Sequence, residues 1–213
     1  MNEVLWMYAD AISDPETFGR AFDRMPPERQ QKIRSFRFER DRQLSLCAGL
    51  LLCEELKRAG VPNAEIAYGP YGKPYLRDSD NFFFNVTHGG RIAAIAVSDK
   101  PVGIDVEPIR PFEEDMLHRV FLPEELAAAP NCDRERFYTA LWTVKESLMK
   151  LFGTGLSLDP KEIRVSFGTH VIARCAGYDC GSLRFFTQLL DDHILTVCSS
   201  YDPFPGRTEQ FEP

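Results

Sequence analysis

Two stretches of helical periodicity, each accompanied by several short β-like runs, constrain this chain more than any other feature. Between Arg42 and Ala59, Leu46, Leu50, Cys53 and Leu56 recur three or four residues apart, and Gly60 and Pro62 supply the stop. From Arg134 to Leu151, Phe137, Leu141, Val144, Leu148 and Leu151 mark the buried stripe of a second long helix. Shorter helical text starts at Pro27 and again at Glu124. Around the first helix lie strand-like runs at residues 4–8, 82–86 and 92–97. Others follow at 102–106, 163–167, 171–175, 183–189 and 194–199. Each half thus offers a helix and several strands, which predicts the α+β class and two subdomains, 1–101 and 102–213, meeting near Pro101. Residues 69–74 read as a turn-rich loop, and about 206–213 as a loose tail. At 213 residues the chain buries its cores without covalent staples.

Charge narrows the ligands. The net charge of −7 argues against nucleic acid and anionic membranes as partners. Residues 20–42 nevertheless hold eight basic side chains against four acidic ones, which suggests a small polyanion. The six cysteines form no C-x-x-C pair and stand at no zinc-finger spacing, so they read as reduced thiols of a cytoplasmic protein. Neither a signal peptide nor an uncharged run of membrane-spanning length is expected.

Three short segments carry chemistry. In Gly103-Ile104-Asp105-Val106-Glu107, strand alternation sends Asp105 and Glu107 to one face and Ile104 and Val106 to the other. Two carboxylates so placed suit a hard divalent cation such as Mg²⁺. The same spacing also suits a half-exposed strand with a solvated acidic face. On the second long helix Trp142, Glu146 and Lys150 lie at i, i+4, i+8, either as an exposed Glu–Lys pair or, given the tryptophan, as the wall of a cleft. The third segment, Asn85-Val86-Thr87-His88-Gly89-Gly90, ends a strand in polar groups and glycines that suit close approach to a phosphate, although a single turn histidine also serves structure alone. With no P-loop and no nucleophile elbow, the attacking group of any reaction comes from a substrate.

In this order and at these separations the segments resemble the Sfp-type phosphopantetheinyl transferases, whose text runs F-N-x-S-H, G-x-D-x-E, W-x-x-K-E-[SA]-x-x-K and G-x-G-[LF]. The matching residues are Phe84 to His88, Gly103 to Glu107, Trp142 to Lys150, and Gly153-Thr154-Gly155-Leu156. Tyr71-Gly72-Lys73-Pro74-Tyr75 is similar to the family's G-K-P segment, and Tyr201-Asp202-Pro203-Phe204-Pro205 to its closing text. Thr87 stands where serine is commoner and Arg29 where lysine is frequent. The resemblance implies a monomer with a pseudo-dimeric two-subdomain fold, each half a small antiparallel-rich sheet with a packed helix and the site between them.

It also implies that the 4′-phosphopantetheine arm of coenzyme A passes to a serine of an apo acyl, aryl or peptidyl carrier protein, leaving adenosine 3′,5′-bisphosphate. The longer type serves nonribosomal peptide or polyketide synthases. Carried over by position, Asp105, Glu107 and Glu146 ligate Mg²⁺, Asp105 also binds the coenzyme, and Lys150 contacts its pyrophosphate. Arg29, Lys32, Ser45 and His88 hold phosphate, with Thr87 near by, and Lys73 and Pro74 line the adenine. Glu146 is the implied base, directly or through a bound water, with Glu125 as a second candidate. A Mg²⁺-dependent phosphohydrolase acting on a nucleotide-type pyrophosphate is the alternative that the same acids would serve.

Overall fold

A computed structural model describes the chain except residues 1, 78, 201–206 and 213; the 201–205 segment of the resemblance therefore lies outside the described residues. The order of elements is β1 (Asn2–Tyr8), α1 (Pro15–Asp23), α2 (Pro27–Ser35), α3 (Glu39–Arg58), β2 (Ile66–Tyr68), β3 (Pro74–Leu76), β4 (Phe83–Gly89) and β5 (Ile92–Ser98). It continues with β6 (Val102–Pro108), α4 (Glu114–Val120), α5 (Pro123–Ala127), α6 (Arg134–Phe152), β7 (Ile163–Phe167), β8 (Val171–Cys175), β9 (Arg184–Leu190), β10 (His193–Ser199) and β11 (Arg207–Gln210). The α+β class expected from the sequence is the class observed.

Four layers follow from which faces are apolar. The larger sheet has the order β11-β1-β5-β4 and the smaller one β6-β10-β9. On one face of the larger sheet, Leu5, Met7, Ala93, Ile95 and Val97 pack against Leu46, Leu50 and Leu51 of α3. Its other face, with Val4, Ile92, Ala94 and Ala96, meets Ile104, Val106, Leu195 and Val197 of the smaller sheet. α6 covers the outer face of that second sheet, where Leu141 and Leu148 share a core with Cys198. The order is helix, sheet, sheet, helix, so β5 is buried on both faces and reads as an unbroken apolar run. Helix ends follow the expected electrostatics: α3 carries Glu39 and Asp41 in its first turn and Lys57 and Arg58 in its last.

Where the two sheets meet, the Asn85 side-chain oxygen on β4 accepts the Ile104 amide of β6 at 2.9 Å. α6 then lies so close to β6 that a Cβ on Gly103 would fall onto the Ser147 carbonyl oxygen and the Leu151 amide nitrogen. The buried hydroxyls of Thr143 on α6 and Thr196 on β10 satisfy each other at 2.8 Å, and Thr196 also meets the exposed Thr187 of β9 at 3.1 Å.

Several elements differ from the sequence reading. α1 arises where only polar, proline-marked text was expected; Asp14 caps it by accepting from the Thr17 amide at 2.8 Å, and Pro15 opens it. The loop around residue 70 closes a small antiparallel hairpin, β2 with β3. The expected loose tail is corrected as well, because residues 207–210 form β11 and pair in parallel with β1. Arg58 at the end of α3 holds that strand, reaching Glu209 at 3.4 Å, Glu54 at 3.1 Å and Glu3 at 3.8 Å. Backbone bonds to β1 and this shared cation order a segment that its proline, glycine and charge left looking unstructured.

The α6–β6 contact makes a prediction. Gly103→Ala drives a methyl group into helix backbone, which cannot swing aside as a side chain would, and should lower unfolding free energy by about 1–3 kcal/mol in chemical denaturation. Unchanged stability would show that α6 is not held against β6 at this residue.

Candidate active site

Strand alternation on β6 decides what faces what. Ile104 and Val106 enter the core between the sheets. Gly103, Asp105 and Glu107 point the other way, toward α6, where Glu146 and Lys150 project one helical turn apart. Lys150 Nζ lies 2.5 Å from Asp105 Oδ1 and 3.9 Å from Glu146 Oε2. Thr87 completes the group from β4: its hydroxyl donates to Asp105 Oδ1 at 3.1 Å and accepts from Lys150 at 2.9 Å. Asp105 of β6 and the Glu146–Lys150 pair of α6, two separate segments of the sequence, are thus one cluster joined by Thr87.

Its electrostatics are strained by burial. Asp105 is 2% exposed, and its Oδ2 is buried without a hydrogen-bond partner. Desolvation pushes the Glu107 carboxyl up to about 7, with the charges of Asp105 and Glu146 adding to the effect. Glu146 is also raised, first by desolvation and then by Asp105. For Lys150, burial opposes the charge, yet Asp105 and Glu146 outweigh it and hold the ammonium above its ordinary range. Among the described residues no three acids, histidines or cysteines stand close enough to hold an ion as they are, and Lys150 answers the local negative charge. The donor set still fits a hard divalent cation: carboxylate oxygens only, mutual repulsion, and one orphaned buried oxygen.

Beside the cluster opens a cleft of about 690 Å³ between α2, α3, β4 and the β2–β3 hairpin. Arg29, Lys32, Ser45, Pro74 and His88 all line it. Alternation on β4 explains the neighbourhood, since Phe84, Val86 and His88 face the cleft while Asn85 and Thr87 face β6. Arg29 donates through Nη2 to the Ser45 carbonyl at 2.5 Å, and its Nε is buried with no partner. Desolvation lowers the pKa of Arg29 and of Lys32, the latter also through the Arg29 charge. Gly49 makes this clamp feasible, because a Cβ there would crowd Arg29 Nε and the Met25 sulfur. His88 links cleft and cluster: desolvation, then the cations of Lys150 and Arg29, hold its ring below the ordinary imidazole pKa.

Two sequence expectations change. Pro74 and Gly72 line the cleft, but the Lys73 ammonium turns away and donates to the carbonyls of Val102 at 3.1 Å and Leu151 at 2.9 Å. Glu125 is not free to act as a base. Its Oε2 accepts from Lys145 at 2.7 Å and from the Leu122 amide at 2.9 Å, and its Oε1 from the Val165 amide at 2.9 Å, the first and last of these buried. Lys145 also donates to the carbonyls of Val120 and Pro160, so this pair ties α5, α6 and β7 together. Sequence reasoning gave no roles to Asn85 and Gly49. The signals were a polar residue within an apolar strand and a glycine inside a helix, where it costs about 0.5–1 kcal/mol relative to alanine.

Comparison with known proteins bears on most of the chain. Residues 101–198 match the family described as the 4′-phosphopantetheinyl transferase superfamily, and residues 13–100 match 4′-phosphopantetheinyl transferase, N-terminal. A 4′-phosphopantetheinyl transferase of Bacillus subtilis is 33% identical over 187 residues, covering 83% of each chain. The 4′-phosphopantetheinyl transferase Sfp of Bacillus subtilis strain 168 is 29% identical over 162 residues, 73% of this chain and 72% of its own. An L-aminoadipate-semialdehyde dehydrogenase-phosphopantetheinyl transferase of Candida glabrata is 28% identical over 218 residues, 94% of this chain and 81% of its own.

The Glu125 reassignment is open to measurement. Glu125→Ala leaves a buried ammonium without its counter-charge and should destabilise the fold by about 3–5 kcal/mol in urea denaturation. A variant as stable as the parent would show that Lys145 does not depend on it.

Proposed function

The chain belongs to the 4′-phosphopantetheinyl transferase family, and from that membership we propose that it transfers the 4′-phosphopantetheine arm of coenzyme A to a serine of an apo carrier protein. We further propose that the carrier is a domain of a nonribosomal peptide or polyketide synthase, that adenosine 3′,5′-bisphosphate leaves, and that the enzyme acts as a cytoplasmic monomer. Among the described residues no helix is long and apolar enough to cross a membrane.

One observation carries the reading: fixed cations and a cluster of acids with one lysine lie on either side of His88, whose pKa responds to both Lys150 and Arg29. Coenzyme A has the same division, a pyrophosphate and a separate 3′-phosphate. Arg29, Lys32, Ser45 and His88 would hold the 3′-phosphate, where the unpartnered Arg29 Nε is a donor in want of an acceptor. Pro74, opposite the apolar wall of α3, would lie along the adenine.

Asp105, Glu107 and Glu146 would hold Mg²⁺, which when bound supplies positive charge to the pyrophosphate oxygens. Lys150, which donates to Thr87, would contact the pyrophosphate. Phosphoryl transfer asks the protein for position and charge more than for covalent help. The carrier serine oxygen bonds to the pantetheine-side phosphorus as the bridging P–O bond breaks, and Lys150 steadies the charge appearing on the departing nucleotide. Glu146, which faces Lys150 and Asp105, would take the serine proton, directly or through a bound water.

Incubation with coenzyme A, Mg²⁺ and several apo carriers, followed by mass spectrometry, should show one phosphopantetheinyl gain on a carrier serine. Nucleotide release without a carrier would identify a phosphohydrolase instead. Asp105→Asn should lower kcat by about a hundredfold or more, and near-parental turnover would remove that residue from the metal set. Arg29→Ala should raise KM for coenzyme A about tenfold, the loss of a charge-assisted bond, and barely affect dephospho-coenzyme A, which lacks the 3′-phosphate. Equal effects on the two substrates would place Arg29 elsewhere.

A further inference from the structure

We propose that Lys73 is a positioning residue for the transfer, a clamp that locks the two elements carrying the reactive cluster to the loop lining the nucleotide cleft. The inference rests on the transferase reading above and concerns a side chain that touches neither the cleft nor the acids.

The geometry is specific. Lys73 lies between Gly72 and Pro74, which line the cleft. Its side chain runs inward past Gly153, the left-handed residue that ends α6, and a Cβ on that glycine would press on Lys73 Cδ. The ammonium then divides between two carbonyls: Leu151 in the last turn of α6, next to Lys150, and Val102 at the start of β6, three residues before Asp105. Both acceptors are backbone, so the bonds fix where the helix and the strand lie rather than how one side chain turns. The Leu151 carbonyl is also among those that a helix leaves unsatisfied at its C-terminus, where a cation is favourable.

What this clamp controls is the spacing of α6 against β6, and that spacing sets the Lys150–Asp105 contact. Displacement of a reacting group by about 1 Å can cost a hundredfold in rate. Through Gly72 and Pro74 the same residue senses the filled cleft. Burial pushes the Lys73 ammonium down to about 8. Cys198 of β10 is the titratable group facing it, and burial holds that thiol well above its ordinary range, hence neutral. On α6 the Lys150 ammonium is turned to Asp105, and β6 presents only its carbonyl. Loss of the Lys73 proton therefore weakens the clamp without a neighbouring charge to replace it.

Steady-state kinetics with coenzyme A and an apo carrier test the proposal on the full chain. Lys73→Met should lower kcat about tenfold or more while KM for coenzyme A stays within about threefold, and Lys73→Arg should recover at least half of kcat. Wild-type kcat should fall as pH rises through about 8, and the Arg variant, which keeps its charge, should lose that alkaline limb. Hydrogen exchange gives a readout independent of turnover: the amides of Gly153, Thr154 and Ile104 should exchange faster in the Met variant and return to parental rates in the Arg variant.

Parental kcat in Lys73→Met, or a loss confined to KM, would overturn the proposal. So would an alkaline limb shared by wild type and Lys73→Arg, which decides the matter even if the Met variant does not fold. A wild-type protein that modifies no carrier would refute the transferase reading itself, and exchange rates unchanged between wild type and both variants would then refute the clamp separately.

Discussion

Negative charge held in a partly buried seam is the constraint on which the rest of this structure depends. β6 and α6 approach until only a glycine fits between them at residue 103, and that approach buries Asp105 and partly desolvates Glu107 and Glu146. Three carboxylates so placed are unstable together unless a cation answers them. Lys150 does so from the helix itself, one turn beyond Glu146, while Thr87 from β4 shares its hydroxyl between lysine and aspartate. Backbone proximity, desolvation and charge are therefore one feature seen at three scales.

Everything around the seam serves to hold three elements in register. The Asn85 side chain fixes β4 to the backbone of β6 one residue before Asp105, and that in turn brings Thr87 to its place. The Lys145–Glu125 pair anchors the far side of α6 to α5 and β7, and both oxygens of its carboxylate are engaged there. On the near side the larger sheet and α3 build the cationic cleft, where the absence of a side chain at Gly49 lets Arg29 fold back on the helix. His88 belongs to both environments because β4 alternates: its even residues face the cleft, and Asn85 and Thr87 face the seam.

Much of this was legible in the sequence, for reasons that differ by residue. Asp105 and Glu107 were readable because a strand has a period of two, so an acid-apolar alternation declares which residues share a face. Glu146 and Lys150 were readable because a helix brings i and i+4 together. Lys73 and Glu125 were misread because their partners are remote: a backbone carbonyl 78 residues away for one, and an ammonium 20 residues away with an amide 40 residues away for the other. α1 has a capping aspartate, an opening proline and an apolar Phe18–Phe22 pair, but its 9 residues give too short a periodic run to stand out. β11 gains its order from β1 and Arg58, which no local pattern in its own residues announces.

The sequence by itself determined the α+β class, most element positions, the pairing of Asp105 with Glu107 on one strand face and of Glu146 with Lys150 on one helix face, and the presence of a cationic segment, since these follow from periodicity and from residue types within reach along one element. Only the tertiary structure decided which cation neutralises Asp105, which way Lys73 points, that Glu125 is structural, and that the last strand returns to the first. Those outcomes depend on which backbone groups lose water and which remote partners then become available. That is set by how two sheets and two helices stack, and no segment of the chain encodes it alone.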